Sequence, residues 1–300
     1  MSASAPVGPP IRSLMTLLMT SLMAPLIALS RGRWRSALPR DARLYQIAFL
    51  GTLLTVGVVA RDFSLSLTQM VLCFGAGLAT QAFWVAKLNL VRVGYLSAII
   101  TCFGLSLLLR SDALWVHPAA AFVALSAKFV IRVHGKHVFN PGNLGVIVAL
   151  IAFPGAWVSP GQWGNDLAYG LWFVALGGLV VQRARRWDIS WMFLGFWLGL
   201  VALRVLWLGQ PWTIWWHQLQ SGALLLFAFF MISDPMTIPN RRAARIGYAL
   251  LVALIAFCWQ FVLFKTNALL WALVMASPIV PLIDWLLPAA KAQWTRPSSR

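Results

Sequence analysis

The stretch Arg132–Phe153, RVHGKHVFNPGNLGVIVALIAF, decides the architecture. Its second part, Pro141–Phe153, is apolar, but at 1.5 Å per residue it reaches only roughly 20 Å against a hydrocarbon core of about 30 Å. Whether it counts as a crossing fixes the side on which every later segment lies. The other helix-length apolar runs are Leu44–Ala60, Leu65–Ala86, Val93–Leu109, Ala113–Ile131, Leu167–Gln182, Ile189–Leu208, Ile214–Ser233, Ile246–Phe264 and Ala268–Leu287. With the segment before Leu44 inside and Pro141–Phe153 crossing, inner segments hold eighteen of the 24 basic residues. Outer segments hold only Arg61, Arg110 and Lys265. This is the positive-inside bias of a membrane protein. Without the short crossing, Arg183, Arg185 and Arg186 fall outside and the alternation ends. The short segment therefore crosses, by tilting within protein, by extending through Gly155–Val158, or as a broken helix that lines a cavity.

Composition agrees. Sixty per cent of the 300 residues are hydrophobic, ten per cent are charged, and mean hydropathy is +0.79. A soluble fold cannot bury that much apolar surface and keep a wettable exterior. The expected fold is an all-α polytopic membrane protein with about ten transmembrane helices. The formal charge of +17 does not mark a nucleic-acid binder, because the basic residues lie between apolar runs instead of striping a soluble domain. The expected partner is the lipid bilayer, with no nucleic acid. Residues 1–43 read as a tail containing an interfacial or spanning helix, Ile11–Ser30, and a basic segment. Residues 44–288 form the membrane domain, and residues 289–300 a basic tail. Cys73, Cys102 and Cys258 stand singly in different apolar runs and read as small buried hydrophobes.

Two polar breaks carry the candidate chemistry. In the first, Asn140-Pro141 ends one helix and opens the next. Asn140 and Asn143 stand at that helix start with Lys136 close by, either as a plain cap and turn or as a site for an anionic or electron-rich group. In the second, Ser233-Asp234-Pro235 puts a carboxylate at the end of an apolar run in a chain whose seven acidic residues are all Asp. Asp234 either closes a local Asx turn, pairs with Arg241, Arg242 or Arg245, or binds a cation or cofactor. Thr237 joins Lys136, Asn140, Asn143 and Asp234 in the candidate cofactor-binding set. Asp284, near the end of the last span, is expected to pair with a basic neighbour, and Lys128 and Arg204 to snorkel from span ends. His134 and His137 have no third ligand nearby, so no metal site is expected. Trp157, Trp163, Trp212, Trp215 and Trp216 form an interfacial belt or the rim of an outer mouth. There is no P-loop, Rossmann fingerprint, CxxC or nucleophile elbow, and intramembrane acids are too few for an autonomous pump.

The order of these motifs resembles a known family. Phe139-Asn140-Pro141 through Leu144-Gly145 to Phe153-Pro154 resembles the FNPAxxG…FP signature of the membrane subunits NqrB and RnfD. Those subunits belong to the Na⁺-translocating NADH:quinone reductase and the Rnf electron-transfer complex. Ser221-Gly222-Ala223, Ala228-Phe229-Phe230 and Ser233-Asp234-Pro235 resemble their SGA…GAFF…TDP segment. Arg242 to Gly247 resembles an NRGRxxxG, and Pro281-Leu282-Ile283-Asp284 a PLID. The resemblance implies two inverted five-helix repeats, similar to the urea-transporter fold, and a place in a bacterial inner membrane with both ends of the bundle cytoplasmic. It also implies flavin, as covalent FMN on a Thr in an outer loop and as non-covalent riboflavin. Here that outer loop is Gly155–Asp166, GAWVSPGQWGND, without Thr. Covalent FMN is therefore not expected, and the chain resembles stand-alone, UnbU-type members of the family.

Three functions remain open at this point. The first is a membrane subunit of an electron-transport system, possibly coupled to ion transport in the family's manner, that holds flavin (riboflavin or FMN) or quinone non-covalently and works with redox protein partners. The second is a transporter or channel for a small solute or ion. The third is a membrane scaffold for a redox partner. No self-contained catalytic motif makes the chain an enzyme by itself.

Overall fold

The computed structural model describes residues 41–61, 63–90, 93–159, 167–183 and 186–291. The expectations for Ile11–Ser30, for Trp163 and for most of the C-terminal tail lie outside the described residues. Every one of the ten apolar segments is helical over most of its length. The first five are α1 (Ala42–Ala60), α2 (Leu67–Lys87), α3 (Leu96–Leu108), α4 (Val116–Val130) and α5 (Pro141–Ala152). The sixth and seventh are α6 (Leu167–Arg183) and α7 (Trp187–Trp207). The eighth is broken into α8 (Thr213–Leu219), α9 (Gly222–Leu226) and a π-helical turn, Phe227–Met231. The ninth is α10 (Arg242–Phe261), and the tenth divides into α11 (Ala268–Ala276) and α12 (Ile279–Leu286), bent by 46° at Ser277-Pro278.

Four of these helices, α1, α2, α7 and α10, are long and apolar enough to cross a membrane, and the bent α11–α12 pair gives a fifth. α3, α4, α5 and Gly222–Met231 are shorter apolar helices. Large apolar side chains such as Val59, Leu67, Leu203, Trp207 and Phe264 are exposed, which is stable only with lipid as the outer solvent. The chain is an integral membrane protein.

Local sequence explains the helix ends. Ser66 and Gln69 close a reciprocal capping box at the start of α2. Asn140 caps α5 by accepting from Asn143 N at 3.0 Å, with Pro141 at the first helical position, where its missing N–H costs nothing. Between α4 and α5, Arg132–Val133 (β1) and Lys136–His137 (β2) pair as a tight hairpin turning on His134 and Gly135, both at positive φ. At the opposite end, Leu109–Ser111 (β3) pairs antiparallel with Ala156–Val158 (β4), in register Leu109↔Val158.

The helices pack in two matching sets. Within residues 42–152, α2 lies on α4, α1 on α3, and α4 on α5. Within residues 167–286, α7 lies on α10, α6 on α9 and the π turn, and α10 on α11. Between the sets, α1 meets α6 and α5 meets α11. Glycines permit the closest approaches. A Cβ on Gly145 would stand 2.9 Å from both Ala120 O and Ala124 Cβ, and one on Gly177 would stand 2.9 Å from Phe229 Cβ. Cys73 and Cys102 are fully buried against one another's helices, as expected, whereas Cys258 is exposed on α10. An apolar cysteine on a helix with lipid on one side has no need of a protein core.

Candidate functional site

The two polar breaks identified from the sequence meet in space. Where α4 ends and α5 begins, a cavity of about 330 Å³ opens between α1, α3, α4, α5, α6 and the π turn. Its body is apolar, with Leu50, Ile100, Phe129, Val180, Val181 and Phe230 among its walls. Phe230 stacks on Phe49 of α1 with ring centroids 4.8 Å apart, so aromatic faces from both helix sets border the space. The polar edge carries Lys128, His137, Asn140 and Asp234, with Arg43 and Arg132 beside them.

These groups are held by long-range bonds. Asp234 Oδ1 accepts from Met236 N at 3.0 Å in an Asx turn, and Oδ2 faces His137 Nε2 at 3.4 Å. Burial raises the Asp234 carboxyl, but the His137 hydrogen bond and charge, the Met236 N–H and the Lys128 charge outweigh it and hold the group below the usual carboxylate range. Lys128 Nζ donates to Gln81 Oε1 at 3.1 Å and Ser97 Oγ at 2.5 Å, both neutral acceptors. Asn140 Nδ2 donates to Met231 O at 3.3 Å, tying the α5 cap to the π turn. A second network lies outside the cavity. Lys136 Nζ donates to Ile238 O at 2.5 Å, to Asp284 Oδ2 at 2.8 Å and to Asn240 Oδ1 at 3.3 Å. Burial lowers the Lys136 ammonium, with Asp284 opposing. Among the described residues no group of three His, Cys, Asp or Glu side chains could hold a metal.

A larger cavity, about 980 Å³, opens at the other end. Trp157, Trp197, His217, Lys265, Asn267 and Trp271 are among the residues around it. Leu108 and Met231 line both cavities, so the two spaces stand back to back across those side chains.

Residues 166–292 match the model of the NQR2, RnfD, RnfE family. The chain belongs to this family through that segment. Similar proteins include the RnfD-type (D) component of the ion-translocating oxidoreductase complex from Escherichia coli O9:H4 (strain HS), from Escherichia coli (strain K12 / DH10B) and from Shigella boydii serotype 18 (strain CDC 3083-94 / BS512). Each is 34% identical over 128 or 129 residues, which is 41% of this chain and 34% of the relative. The match thus spans about a third of the length of these relatives. It takes in Ser221-Gly222-Ala223, Ser233-Asp234-Pro235 and Pro281–Asp284, and leaves Phe139–Pro154 outside.

In this RnfD-family chain the five candidate residues separate into two groups. Asn140 and Asp234 line the cavity; Lys136, Asn143 and Thr237 do not. Asn143 is buried and donates from Nδ2 to Leu270 O at 2.9 Å, joining the first turns of α5 and α11. Thr237 is buried and folds back on Asp234 O through its N–H and its hydroxyl. Asp284 has the basic partner expected of it, in Lys136. The arginines offered to Asp234 go elsewhere. Arg245 binds Asp188 through Nε at 2.9 Å and Nη2 at 2.5 Å, and Arg242 Nε lies 3.9 Å from the same oxygen. Lys128 is not a snorkelling lysine, since Gln81 and Ser97 draw it inward. Arg204 bonds Gln210 Oε1 at 2.7 Å and stacks over Phe261. Local sequence leaves Lys128 and His137 out of the cavity and gives Asp188 no role; the scarcity of acids in the chain is the one signal that singles out Asp188.

Proposed function

We propose that the chain is a membrane subunit of an RnfD/NqrB-like electron-transport system and that its apolar cavity holds a flavin or quinone ring non-covalently. The observation that carries this reading is the cavity itself. Its size falls within the range of about 300–1,000 Å³ usual for small-molecule sites, and it combines apolar walls with a few convergent polar groups. The donor set fits such a ring: Phe129 and Phe230 offer apolar faces, and Lys128, bonded only to neutral acceptors, offers an uncompensated positive charge to a ring carbonyl. When bound, the flavin or quinone supplies one- or two-electron redox chemistry. Lys128 would favour the more electron-rich state by its charge. His137 Nε2, steadied by Asp234 Oδ2, would hold a proton at the edge of the site. Asn140, Asn143 and Thr237 would keep the two polar breaks in register, and Lys136 would anchor the hairpin. Ten crossings, two inverted five-helix repeats, a bacterial inner-membrane location and cytoplasmic ends complete the reading, supported by the charge bias and by the matching packing of the two helix sets. Redox protein partners follow from the relatives, each of which is one component of an ion-translocating oxidoreductase complex. The test is an absorbance spectrum of gently purified protein. A yellow, flavin-releasing preparation or a bound quinone supports the reading, and protein empty of both that takes up neither on addition refutes it.

A second reading, a path for a small solute or ion, is favoured by the back-to-back cavities and by the joined first turns of two short helices, an arrangement used by transporters near the membrane centre. Liposome flux that changes with Asp234→Asn supports it, and inert liposomes contradict it.

A further inference from the structure

The basic residues that report sidedness include one with a different role. Arg186 precedes α7 as its N-cap residue and is only 8% exposed. Its Nε is buried with no hydrogen-bond partner, and no hydrogen bond or ion pair joins its side chain to any described residue. A buried guanidinium without a counter-charge costs several kcal/mol. The neighbouring acids are already engaged. Asp188 is bound by Arg245 on two nitrogens, and Asp284 accepts from Lys136 Nζ and from Asn240 N at 2.8 Å each. Burial first, and then the charge of Arg245, pull the Arg186 group down to about 10, with Asp188 and Asp284 acting the other way. Arg186 therefore sits among these charges as an excess cation.

The surroundings point to the ion that is missing. Arg242 lies over the Trp187 ring at 5.6 Å and beside Asp188, with its own side chain 66% exposed. The cluster of Arg186, Arg242 and Arg245 around one Asp188 thus grades from buried to open. α10 begins beside it with no side-chain cap, so its first N–H groups add to the positive field. Trp187 and Trp191 are exposed on the same end of α7, where indoles favour a membrane interface.

We propose that this cluster is a binding site for a phosphate-bearing anion, with Arg186 as the buried contact and Arg242 as the outer one. Arginine forks suit phosphate oxygens. The group could arrive as an anionic phospholipid headgroup or as free phosphate.

Full-length protein in neutral detergent and phosphate-free buffer separates these sources, with thermal unfolding followed by Trp fluorescence. Phosphatidylglycerol, phosphatidylcholine and inorganic phosphate are added in turn. An anion held at saturating concentration should raise Tm by roughly 5 °C or more. A rise with phosphatidylglycerol alone assigns a lipid headgroup, and a rise with inorganic phosphate assigns a soluble anion. Arg186→Gln should abolish the rise while melting no lower than wild type before any anion is added, because it removes an unpaired buried charge. Arg241→Gln, which deletes an exposed charge nearby, should keep the rise. The proposal is overturned if neither anion raises Tm, if phosphatidylcholine does as well as either, if Arg186→Gln responds like wild type, or if that variant melts lower in the absence of anion.

Discussion

Residues 42–152 and 167–286 share one packing scheme and differ where the chemistry lies. The first set is built of unbroken helices, and its short fifth helix starts at an Asn cap. The second breaks its third helix into α8, α9 and a π turn, and its last pair starts at Asn267 in a left-handed conformation with no side-chain cap. The first contributes a lysine satisfied only by neutral acceptors, and the second a tight buried ion pair, Asp188–Arg245. Equivalent positions in a repeated frame have thus been given unequal tasks. The ion pair locks helices together, while the lysine faces the cavity.

Substitutions can break that comparison. The largest effect is expected from Arg245→Ala, which leaves Asp188 buried without its partner and should cost about 3–5 kcal/mol, read as a drop in Tm or loss of monodisperse protein. Crowding the close helix contacts comes next. Gly145→Val and Gly177→Val should each cost about 1–3 kcal/mol by overpacking, with similar Tm losses if the two approaches carry equal weight. The two asparagines should then part company. Asn140→Ala loses a cap worth about 1 kcal/mol, whereas Asn267→Gly should be neutral or slightly stabilising, because glycine adopts positive φ without strain. The smallest stability change is expected for Lys128→Met, within about 1 kcal/mol of wild type, since no carboxylate loses its partner. The same change should weaken retention of a reduced, electron-rich ring at least tenfold, measured by titration under reducing conditions.

Much of this architecture was legible in the sequence because lipid makes composition decisive. Charge bias placed the short segment Pro141–Phe153 among the crossings, and that segment is helical as α5 and packed against α3, α4 and α11. Asn140 before Pro141 specified its own cap locally, as Asp234 specified its Asx turn. What was not legible depended on separation along the chain. Asp188 and Arg245 are 57 residues apart, His137 and Asp234 are 97 apart, and Lys136 and Asp284 are 148 apart. Spacing cannot choose among several arginines for one Asp, and proximity in sequence suggested the wrong ones for Asp234. The π turn was equally hidden, since Phe227–Met231 reads as ordinary apolar helix. Its extra residue per turn presents Met231 O to Asn140, a partner from the other helix set.

The central claim, that the cavity between the two sets receives a redox-active ring, can be tested by filling it. Gly104 on α3 lines the cavity, and a Cβ there meets nothing within 4 Å; Gly178 on α6 has equally open surroundings but is not in the lining. Gly104→Phe and Gly178→Phe therefore add the same side chain in two places. The decisive measurement is riboflavin and quinone binding by the purified, folded variants, followed by fluorescence quenching and compared with wild type. Gly104→Phe is expected to lose binding by at least tenfold while Gly178→Phe keeps it. Unchanged binding in Gly104→Phe, or no binding by wild type, would contradict the claim.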